Sequence, residues 1–130
     1  DRWTKHAPMI TQRDHHAIGV VDGKRHAIAG RIAGNHDRSV GDNEEYDPVS
    51  NRWRARAPIP SVRSGIAAAT LGGKIFVFGG ENDRRNRANV ESYDPVNNQW
   101  QSWTPMPTAR HGYGVAVIGN SIYVISGGTR

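Results

Sequence analysis

The hydrophobic pattern of the chain is that of short strands separated by turns. Residues 75–78, Ile-Phe-Val-Phe, are apolar at every position, and such a run is expected to be buried on both faces. A strand of mostly small residues at 66–71 precedes it across Gly72-Gly73, a two-residue turn in which both positions tolerate positive φ. After a polar loop, the pattern predicts a third strand at 90–93 and a fourth that begins at Gln99. The segment as a whole therefore predicts four short antiparallel strands.

The same segment occurs more than once. Residues 46–53, YDPVSNRW, return 47 positions later as YDPVNNQW at 93–100. A weaker copy, with Trp3 in the place of Trp53, lies about 50 residues upstream, and its extra residues fall in a loop. A period of this length indicates a repeat architecture. We therefore interpret residues 1–130 as a single segment with repeats at approximately 3–52, 53–99 and 100–130.

These repeats resemble those of a known family. A strand that is apolar on both faces requires sheets that stack face to face, and a small-residue first strand suits sheets that converge on an axis, as in a β-propeller. The hairpin, the Gly79-Gly80 pair after an apolar strand, the Tyr-Asp-Pro at Tyr93 and the spaced Trp100 resemble the kelch repeat. This resemblance implies an all-β fold of kelch-type, galactose-oxidase-like blades, in which each repeat is one four-stranded antiparallel sheet.

Two features depart from that pattern. Arg25 and His26 stand where the second repeat has Ile75 and Phe76, and burying unpaired charge is costly, so we expect the first blade to be modified or poorly packed. The chain also holds only about 2.7 repeats, whereas propellers usually have 4–8 blades. We expect an incomplete propeller, either a fragment of a larger one or, as the second interpretation, one that assembles by self-association.

Charge and composition limit the chemical classes of partner that we expect for this chain. The formal net charge is +5 and arginine makes up most of the 17 basic residues, which favours carboxylate, phosphate or planar partners. Arg52, Arg54 and Arg56 alternate, so on a strand they share one face, as a solvated edge or as an anion-binding patch. Without a nucleic-acid motif or a long apolar stretch, we expect neither a nucleic-acid partner nor a membrane span. The sequence does not indicate a compartment.

Equivalent positions in successive repeats provide the candidate binding site. Arg13, Arg63 and Arg110 each stand just before a first strand, so in a propeller they would form a ring around the axis. Such arginines could bind carboxylates bidentately, or they could hold blades together through backbone carbonyls, and the sequence leaves both open. Variable loops on a constant scaffold are where specificity is expected. The candidate ligand-binding residues are Arg13, His15, Arg63, Ser64, Arg110, His111, Arg31, Asn35, His36, Asn82 and Arg84.

The sequence offers little support for catalysis. The six histidines show no metal-binding spacing, and the chain has no cysteine, so the tyrosine–cysteine cofactor that similarity to galactose oxidase would imply cannot form. We therefore expect no catalytic residue, no metal and no cofactor. The resemblance implies a protein or peptide partner, and the arginines favour an acidic ligand. We therefore expect a non-catalytic scaffold that recognises a protein, a peptide or another acidic ligand through loops at one propeller face. The alternative is part of a kelch propeller that binds or processes acidic sugars.

Overall fold

A computed structural model describes residues 1–129 and confirms the all-β prediction. Two four-stranded antiparallel sheets, blade 1 (β1-β2-β3-β4) and blade 2 (β5-β6-β9-β10), are followed by the hairpin β11–β12, here called unit 3. Two-stranded β7–β8 extends from the loop after β6. The strands are β1 (Ala17–Val21), β2 (Lys24–Ile28), β3 (Asn43–Asp47), β4 (Arg52–Arg56), β5 (Ala67–Leu71), β6 (Lys74–Phe78), β7 (Glu81–Asn82), β8 (Arg85–Asn86), β9 (Val90–Asp94), β10 (Gln99–Trp103), β11 (Gly114–Ile118) and β12 (Ser121–Ile125).

Helical structure is limited to one turn. Within residues 1–129 the only helix is the 3₁₀ turn His36–Arg38 in the loop after β2. No helix among the described residues is both long and apolar enough to cross a membrane. The hairpin turns have the predicted conformation, since Asp22 and Gly23 have φ of 48° and 73°, and Gly72 and Gly73 have φ of 59° and 73°.

The blades stack through their first and second strands. β5 lies between β1 on one side and β11 on the other. Ile75, Val77 and Tyr93 point towards blade 1 and are fully buried. A Cβ atom built on Gly19 would lie 2.6 Å from Ile75, so this close approach requires glycine in β1. The small-residue first strand therefore serves the close stacking that the sequence predicted.

Two expectations about the second strand need correction. Phe76 is only partly buried, because it points away from blade 1, towards the side where unit 3 contributes only β11 and β12. Its ring packs on Trp103, with 5.7 Å between ring centroids. Arg25, expected in a buried strand, is exposed on the open face of blade 1. Only its neighbour His26 is buried, so blade 1 is modified without burying the Arg25 charge.

The glycine two residues after each second strand has a steric cause. Gly30, Gly80 and Gly127 occupy equivalent positions with φ of 114°, 98° and 98°. A Cβ on Gly80 would lie 2.5 Å from the Ser64 carbonyl oxygen, and the other two meet backbone oxygens in the same way. The residue before each of these glycines also has positive φ, and it is Ala29 in blade 1 and Ser126 in unit 3. In blade 2 a Cβ on Gly79 would lie 2.6 Å from the Arg110 carbonyl oxygen, so both glycines of that pair are required there.

The tyrosine, asparagine and tryptophan of the repeat tie each blade to the segment that enters it. In blade 2 the Tyr93 hydroxyl donates to Asn98 Oδ1, and the Trp100 indole donates to the Ala57 carbonyl, both at 2.8 Å. In blade 1 the equivalent hydroxyl of Tyr46 and indole of Trp53 make the same two bonds at the same distances. The residues that recur in the sequence therefore make the same hydrogen bonds in both blades.

Backbone hydrogen bonds also join successive blades. The Gly65 N–H donates to the His15 carbonyl, and the Gly112 N–H donates to the Gly65 carbonyl, each at 3.0 Å. A second set runs from the Gly30 N–H to the Arg63 carbonyl at 3.1 Å, and from Gly80 to the Arg110 carbonyl at 2.8 Å. In each set, one bond joins blade 1 to blade 2 and the equivalent bond joins blade 2 to unit 3. The seam between neighbouring units therefore has the same hydrogen bonds at both junctions.

We predict that Ile75→Ala lowers the free energy of unfolding by about 2–5 kcal/mol, because a fully buried aliphatic side chain leaves a cavity between the blades. Phe76→Ala should cost less, since part of that ring already meets solvent. Urea denaturation at fixed protein concentration measures both, with the exposed Val49→Ala as the matched control. Equal losses for Ile75→Ala and Val49→Ala would contradict the assigned stacking.

Candidate functional site

The candidate arginines lie at equivalent places but differ in their surroundings. Arg63 is fully buried, and its guanidinium donates to the carbonyls of Ser61, Val77 and Gly79 and to the carboxylate of Glu91. These bonds use four of the five guanidinium N–H donors. They tie the incoming segment to the second and third strands of the same blade, and we call this arrangement the arginine brace.

Arg13 makes the equivalent brace in blade 1. Its guanidinium donates to the carbonyls of Thr11, Ala27 and Ala29 at 2.8–2.9 Å, and to Glu44 at 2.8 Å. Both side chains of the Arg13–Glu44 pair are almost completely buried. Glu44 in turn accepts from the Thr11 N–H at 2.9 Å, so the carboxylate is also held by the incoming segment.

Arg110 in unit 3 differs. Its guanidinium donates to the Ser126 carbonyl at 2.7 Å and, at 3.5 Å, to the Thr108 carbonyl, and both bonds are exposed. No carboxylate pairs with it among residues 1–129. The sequence left open whether these arginines bind a ligand or hold the structure together. The contacts of Arg13 and Arg63 favour the structural role, and each arginine acts within one blade instead of between blades. Burial lowers the pKa of Arg63, and the neighbouring Glu91 carboxylate acts in the opposite direction.

The other candidates gather at one end of the blades, which we call the rim. The rim comprises residues 14–16, 64–66 and 111–113 before the first strands, and the loops 31–39 and 81–89 after the second strands. Reciprocal backbone bonds at 2.8–3.0 Å pair Asp14 with Arg31, Ser64 with Glu81 and His111 with Gly128. The repeat therefore places the start of each first strand against the end of each second strand.

An ion pair crosses the seam between blades 1 and 2 at the rim. Arg31 Nη1 lies 2.7 Å from Glu81 Oε1, and both side chains are about nine-tenths buried. The ring nitrogen Nδ1 of His36 lies 2.9 Å from Arg31 Nη1 and 3.4 Å from the same Glu81 oxygen. The His36 side chain is 42% exposed, so it is the part of this group that an incoming ligand can reach. Arg31 and His36 were among the candidate ligand-binding residues, whereas Glu81, which occupies the repeat position equivalent to Arg31, was not.

Two further histidines of the rim are oriented by neighbours. His15 Nδ1 lies 2.6 Å from Asp14 Oδ1, and this hydrogen bond is the main cause that lowers the pKa of the Asp14 carboxyl. His111 Nδ1 lies 2.7 Å from Asn86 Oδ1. The His15 side chain is 49% exposed.

The remaining candidates have mixed exposure. Ser64 is fully buried, with its hydroxyl 3.5 Å from that of Ser39, and Asn82 donates to the Val62 carbonyl at 3.0 Å. Asn35 caps the 3₁₀ turn by accepting from the Asp37 N–H. Arg84 is exposed at the tip of its loop. The exposed Arg38 and Arg85 were not among the candidate ligand-binding residues. Besides Arg31, which is paired with Glu81, the two rim loops carry four arginines and two exposed aspartates: Arg38, Arg84, Arg85, Arg87, Asp37 and Asp83.

A small open cavity of about 230 Å³ lies beside the second rim loop. Its lining is polar and comprises Ser61, Val62, Arg63, Asn82, Arg87 and Asn89. Its amide, hydroxyl and guanidinium groups are suited to a peptide backbone or a carboxylate. Within the described residues no three His, Asp or Glu side chains lie close enough to hold a metal ion.

A second charged group lies at the side of blade 1 that faces blade 2, and its outermost member, Arg54, has a side chain that is 60% exposed. Neighbouring strands of blade 1 place Gly19, His26, Glu45 and Arg54 in one row that faces blade 2. Arg54 Nε and Nη2 both lie 2.6 Å from Glu45 Oε1, and His26 Nε2 lies 3.5 Å from Oε2. Burial lowers the pKa of His26, with Glu45 opposing. His26 packs on the Tyr93 ring at 5.5 Å, so this row belongs to the interface between blades.

The buried carboxylates do not form an open catalytic pair. Glu44 and Glu91 are 2% exposed, and both are engaged by the braces. A glycosidase needs two carboxyl groups on either side of a substrate. These two lie in different blades at equivalent positions behind their arginines, so the geometry does not favour the acidic-sugar enzyme among the alternatives.

Stacked four-stranded blades, each closed by an arginine brace, define a β-propeller repeat protein. Two models described as the Kelch motif match residues 63–107 and residues 12–60. The chain belongs to the kelch-repeat family, and the resemblance inferred from the hairpins, glycines and aromatic residues is confirmed.

The chain is similar to several kelch proteins over part of their length. It is 41% identical over 78 residues to Kelch-like protein 35 of Homo sapiens, covering 60% of this chain and 13% of that protein. It is 33% identical over 95 residues to Kelch-like protein 25 of Xenopus laevis, covering 68% and 16%. Alpha-scruin of Limulus polyphemus is 38% identical over 78 residues, covering 60% and 8%. The chain thus spans less than a fifth of the length of these relatives.

A solved structure shares the fold. The structure titled "Structure of YjhT" superposes with a TM-score of 0.88 at 21% sequence identity. The match covers 99% of this chain and 48% of that chain. At this identity the similarity concerns the fold alone.

We predict that Arg63→Ala is far more destabilising than Arg110→Ala. Removing one partner of a buried, hydrogen-bonded ion pair costs about 3–5 kcal/mol, whereas Arg110 is partly exposed and has no carboxylate partner among the described residues. Thermal melts monitored by circular dichroism compare the two variants. Similar, small shifts for both would show that the brace is not a structural element, and would return Arg63 to the candidate ligand-binding residues.

Proposed function

We propose that this chain is a non-catalytic kelch-repeat scaffold that binds a protein or peptide partner at the rim. The observation that carries the proposal is that some polar groups are used inside the blades while others stay exposed at the rim. The arginine braces are internal, whereas His15, His36 and the exposed arginines of the two loops remain open to a ligand. Loops held by a rigid β scaffold are where binding specificity resides.

We further propose that the partner is acidic. Besides Arg31, which is paired with Glu81, the two rim loops carry four arginines and two exposed aspartates, and the whole chain has a net charge of +5. Planar guanidinium groups bind carboxylates bidentately, and a basic rim raises the association rate of an acidic partner. The similarity to Kelch-like proteins and to alpha-scruin supports a scaffold role, while their names do not specify a ligand.

The contacting groups proposed at this rim are solvent-accessible ones. They are His15, His36, Arg84 and Arg85, with Arg87 and Asn82 at the adjoining cavity. Arg31, Asn35, Ser64 and His111 position the loops through their own hydrogen bonds. Arg110 is retained as a contact because its hydrogen bond to the Ser126 carbonyl at the third repeat is exposed.

Fluorescence anisotropy with a labelled oligoglutamate peptide tests the proposal. The double variant Arg84→Glu/Arg85→Glu should bind at least about tenfold more weakly than the parent, because the substitutions reverse two charges at the rim. Arg2→Glu/Arg52→Glu is the matched control: it changes net charge by the same amount at two exposed positions outside the rim. The control should retain most of the affinity.

Two outcomes would contradict this function. An equal loss in the rim variant and the control would mean that the peptide responds to net charge alone. Binding of an oligogalacturonate by the parent, with no binding of oligoglutamate, would favour the acidic-sugar alternative. Circular dichroism and urea melts of each variant establish that a loss of binding is not a loss of fold.

A further inference from the structure

The segment that enters blade 2 lies between two cavities. The first is the cavity already described beside the second rim loop, at Ser61, Arg63 and Arg87, and we call it the polar cavity. A larger cavity of about 390 Å³ lies between this segment, the start of β3 and the end of β4. Val62 lines both cavities, so they adjoin. Every lining residue falls between positions 41 and 89, within blades 1 and 2 and the segment that joins them.

The polar side chains around the larger cavity are engaged by the protein itself. Asp42 accepts from a threonine hydroxyl at 3.1 Å, and Asn43 donates to a backbone carbonyl at 3.1 Å. Glu44 belongs to the arginine brace of blade 1, and Arg56 donates to the Tyr93 hydroxyl at 2.8 Å. The wall that remains for a ligand is chiefly apolar, so we call this space the apolar cavity; that wall comprises Ala55, Pro58, Ile59 and Val62.

The polar cavity has the opposite character, because its lining contains no carboxylate and keeps unused donors. Among residues 1–129 no carboxylate lies within ion-pair distance of the Arg87 guanidinium. Asn82 and Asn89 each donate one side-chain N–H to the segment entering blade 2, at 3.0 Å and 3.2 Å. Each of these amides has a second N–H. Guanidinium and amide N–H groups together are suited to a carboxylate.

Both features are specific to the second repeat. Val62 is 38% exposed and stands where the first repeat has Gln12 and the third has Ala109. Arg87 stands where the first repeat has Val40, since the N–H groups of both donate at 2.8 Å to equivalent glycine carbonyls. The blade itself therefore requires neither a valine at position 62 nor an arginine at position 87, and this pair of side chains is available for recognition.

We propose that the partner presents an extended segment with two kinds of side chain, an acidic one for the polar cavity and an aliphatic or aromatic one for the apolar cavity. This rests on the rim function proposed above and specifies the chemistry of its partner. Side chains two positions apart in extended backbone lie on the same face, about 6.5 Å apart. Two cavities that share the Val62 side chain as a wall agree with such a spacing. Burial of the apolar side chain adds affinity that acidic residues alone do not supply.

Fluorescence anisotropy with three labelled peptides tests the proposal. The first peptide is an octaglutamate, and one central glutamate is replaced by leucine in the second peptide and by glutamine in the third. The second and third peptides carry the same charge, so their comparison measures the apolar contact. We expect the leucine peptide to bind at least about fivefold more tightly than the glutamine peptide, because the leucine side chain leaves water.

Variants of the chain locate the two contacts. Val62→Gln, which introduces the residue type of the first repeat, and Ala55→Leu, which fills part of the apolar cavity, should each reduce the preference for leucine to below about twofold. Val49→Gln, at an exposed turn outside both cavities, is the matched control and should preserve the preference. Arg87→Gln should weaken the leucine and glutamine peptides by the same factor. Circular dichroism and urea melts establish that each variant is folded.

The outcomes separate this proposal from the rim function. Equal affinities for the leucine and glutamine peptides, with octaglutamate still bound, would overturn the two-cavity proposal and leave the acidic rim function intact. A preference for leucine that survives both Val62→Gln and Ala55→Leu would also overturn it, since the apolar contact would then lie elsewhere. If none of the three peptides binds, the rim function itself is contradicted and the two-cavity proposal is overturned with it.

Discussion

The arginine brace is the constraint on which the rest of the structure depends. The guanidinium of Arg63 joins the segment entering blade 2 to the ends of its second and third strands, through three carbonyls and the Glu91 carboxylate. The carbonyl of the same residue accepts from Gly30 of blade 1. One residue thus fixes the interior of a blade and its seam with the neighbour. A buried charge is tolerated there because almost every donor is satisfied.

The brace also determines which groups are available for binding. Since Arg13 and Arg63 are internal, the converging ring of arginines does not present its charge to a ligand, and the positive surface lies on the rim loops instead. Those loops can vary because the reciprocal backbone pairs at their bases, such as Ser64 with Glu81, do not depend on the loop sequence. The Arg31–Glu81 ion pair then couples one loop base to the next across the seam.

Much of the fold follows from the sequence because its determinants are local or repeated. The Tyr-Asp-Pro, asparagine and tryptophan letters encode the same hydrogen bonds in both blades, and the terminal glycine of each second strand is required by backbone contacts at 2.5–2.8 Å. The side to which a strand residue points was harder to predict. Arg25 and Phe76 lie in strands expected to be buried, and their exposure depends on which strands pack against their side of the sheet, which the local pattern does not contain.

The candidate site was predicted less completely, for a related reason. The equivalent positions of the repeats identified Arg63 and the rim residues as candidates. They did not predict the structural role of Arg63, because Glu91 lies 28 positions away and contacts it only after β6 and β9 pair. Glu81 and Asn86, which orient His36 and His111, are likewise partners that only the folded loops bring together.

The most direct test is amide hydrogen exchange of Gly30 and Gly80 in the parent and in Arg63→Lys. The lysine keeps the charge beside Glu91 but cannot donate to three carbonyls at once. If the brace holds the seam, both amides are protected in the parent, and the substitution accelerates exchange at Gly30, which bonds to residue 63, much more than at Gly80, which bonds to Arg110. Unchanged protection of Gly30 in Arg63→Lys would contradict the account, because the seam would then not depend on the brace.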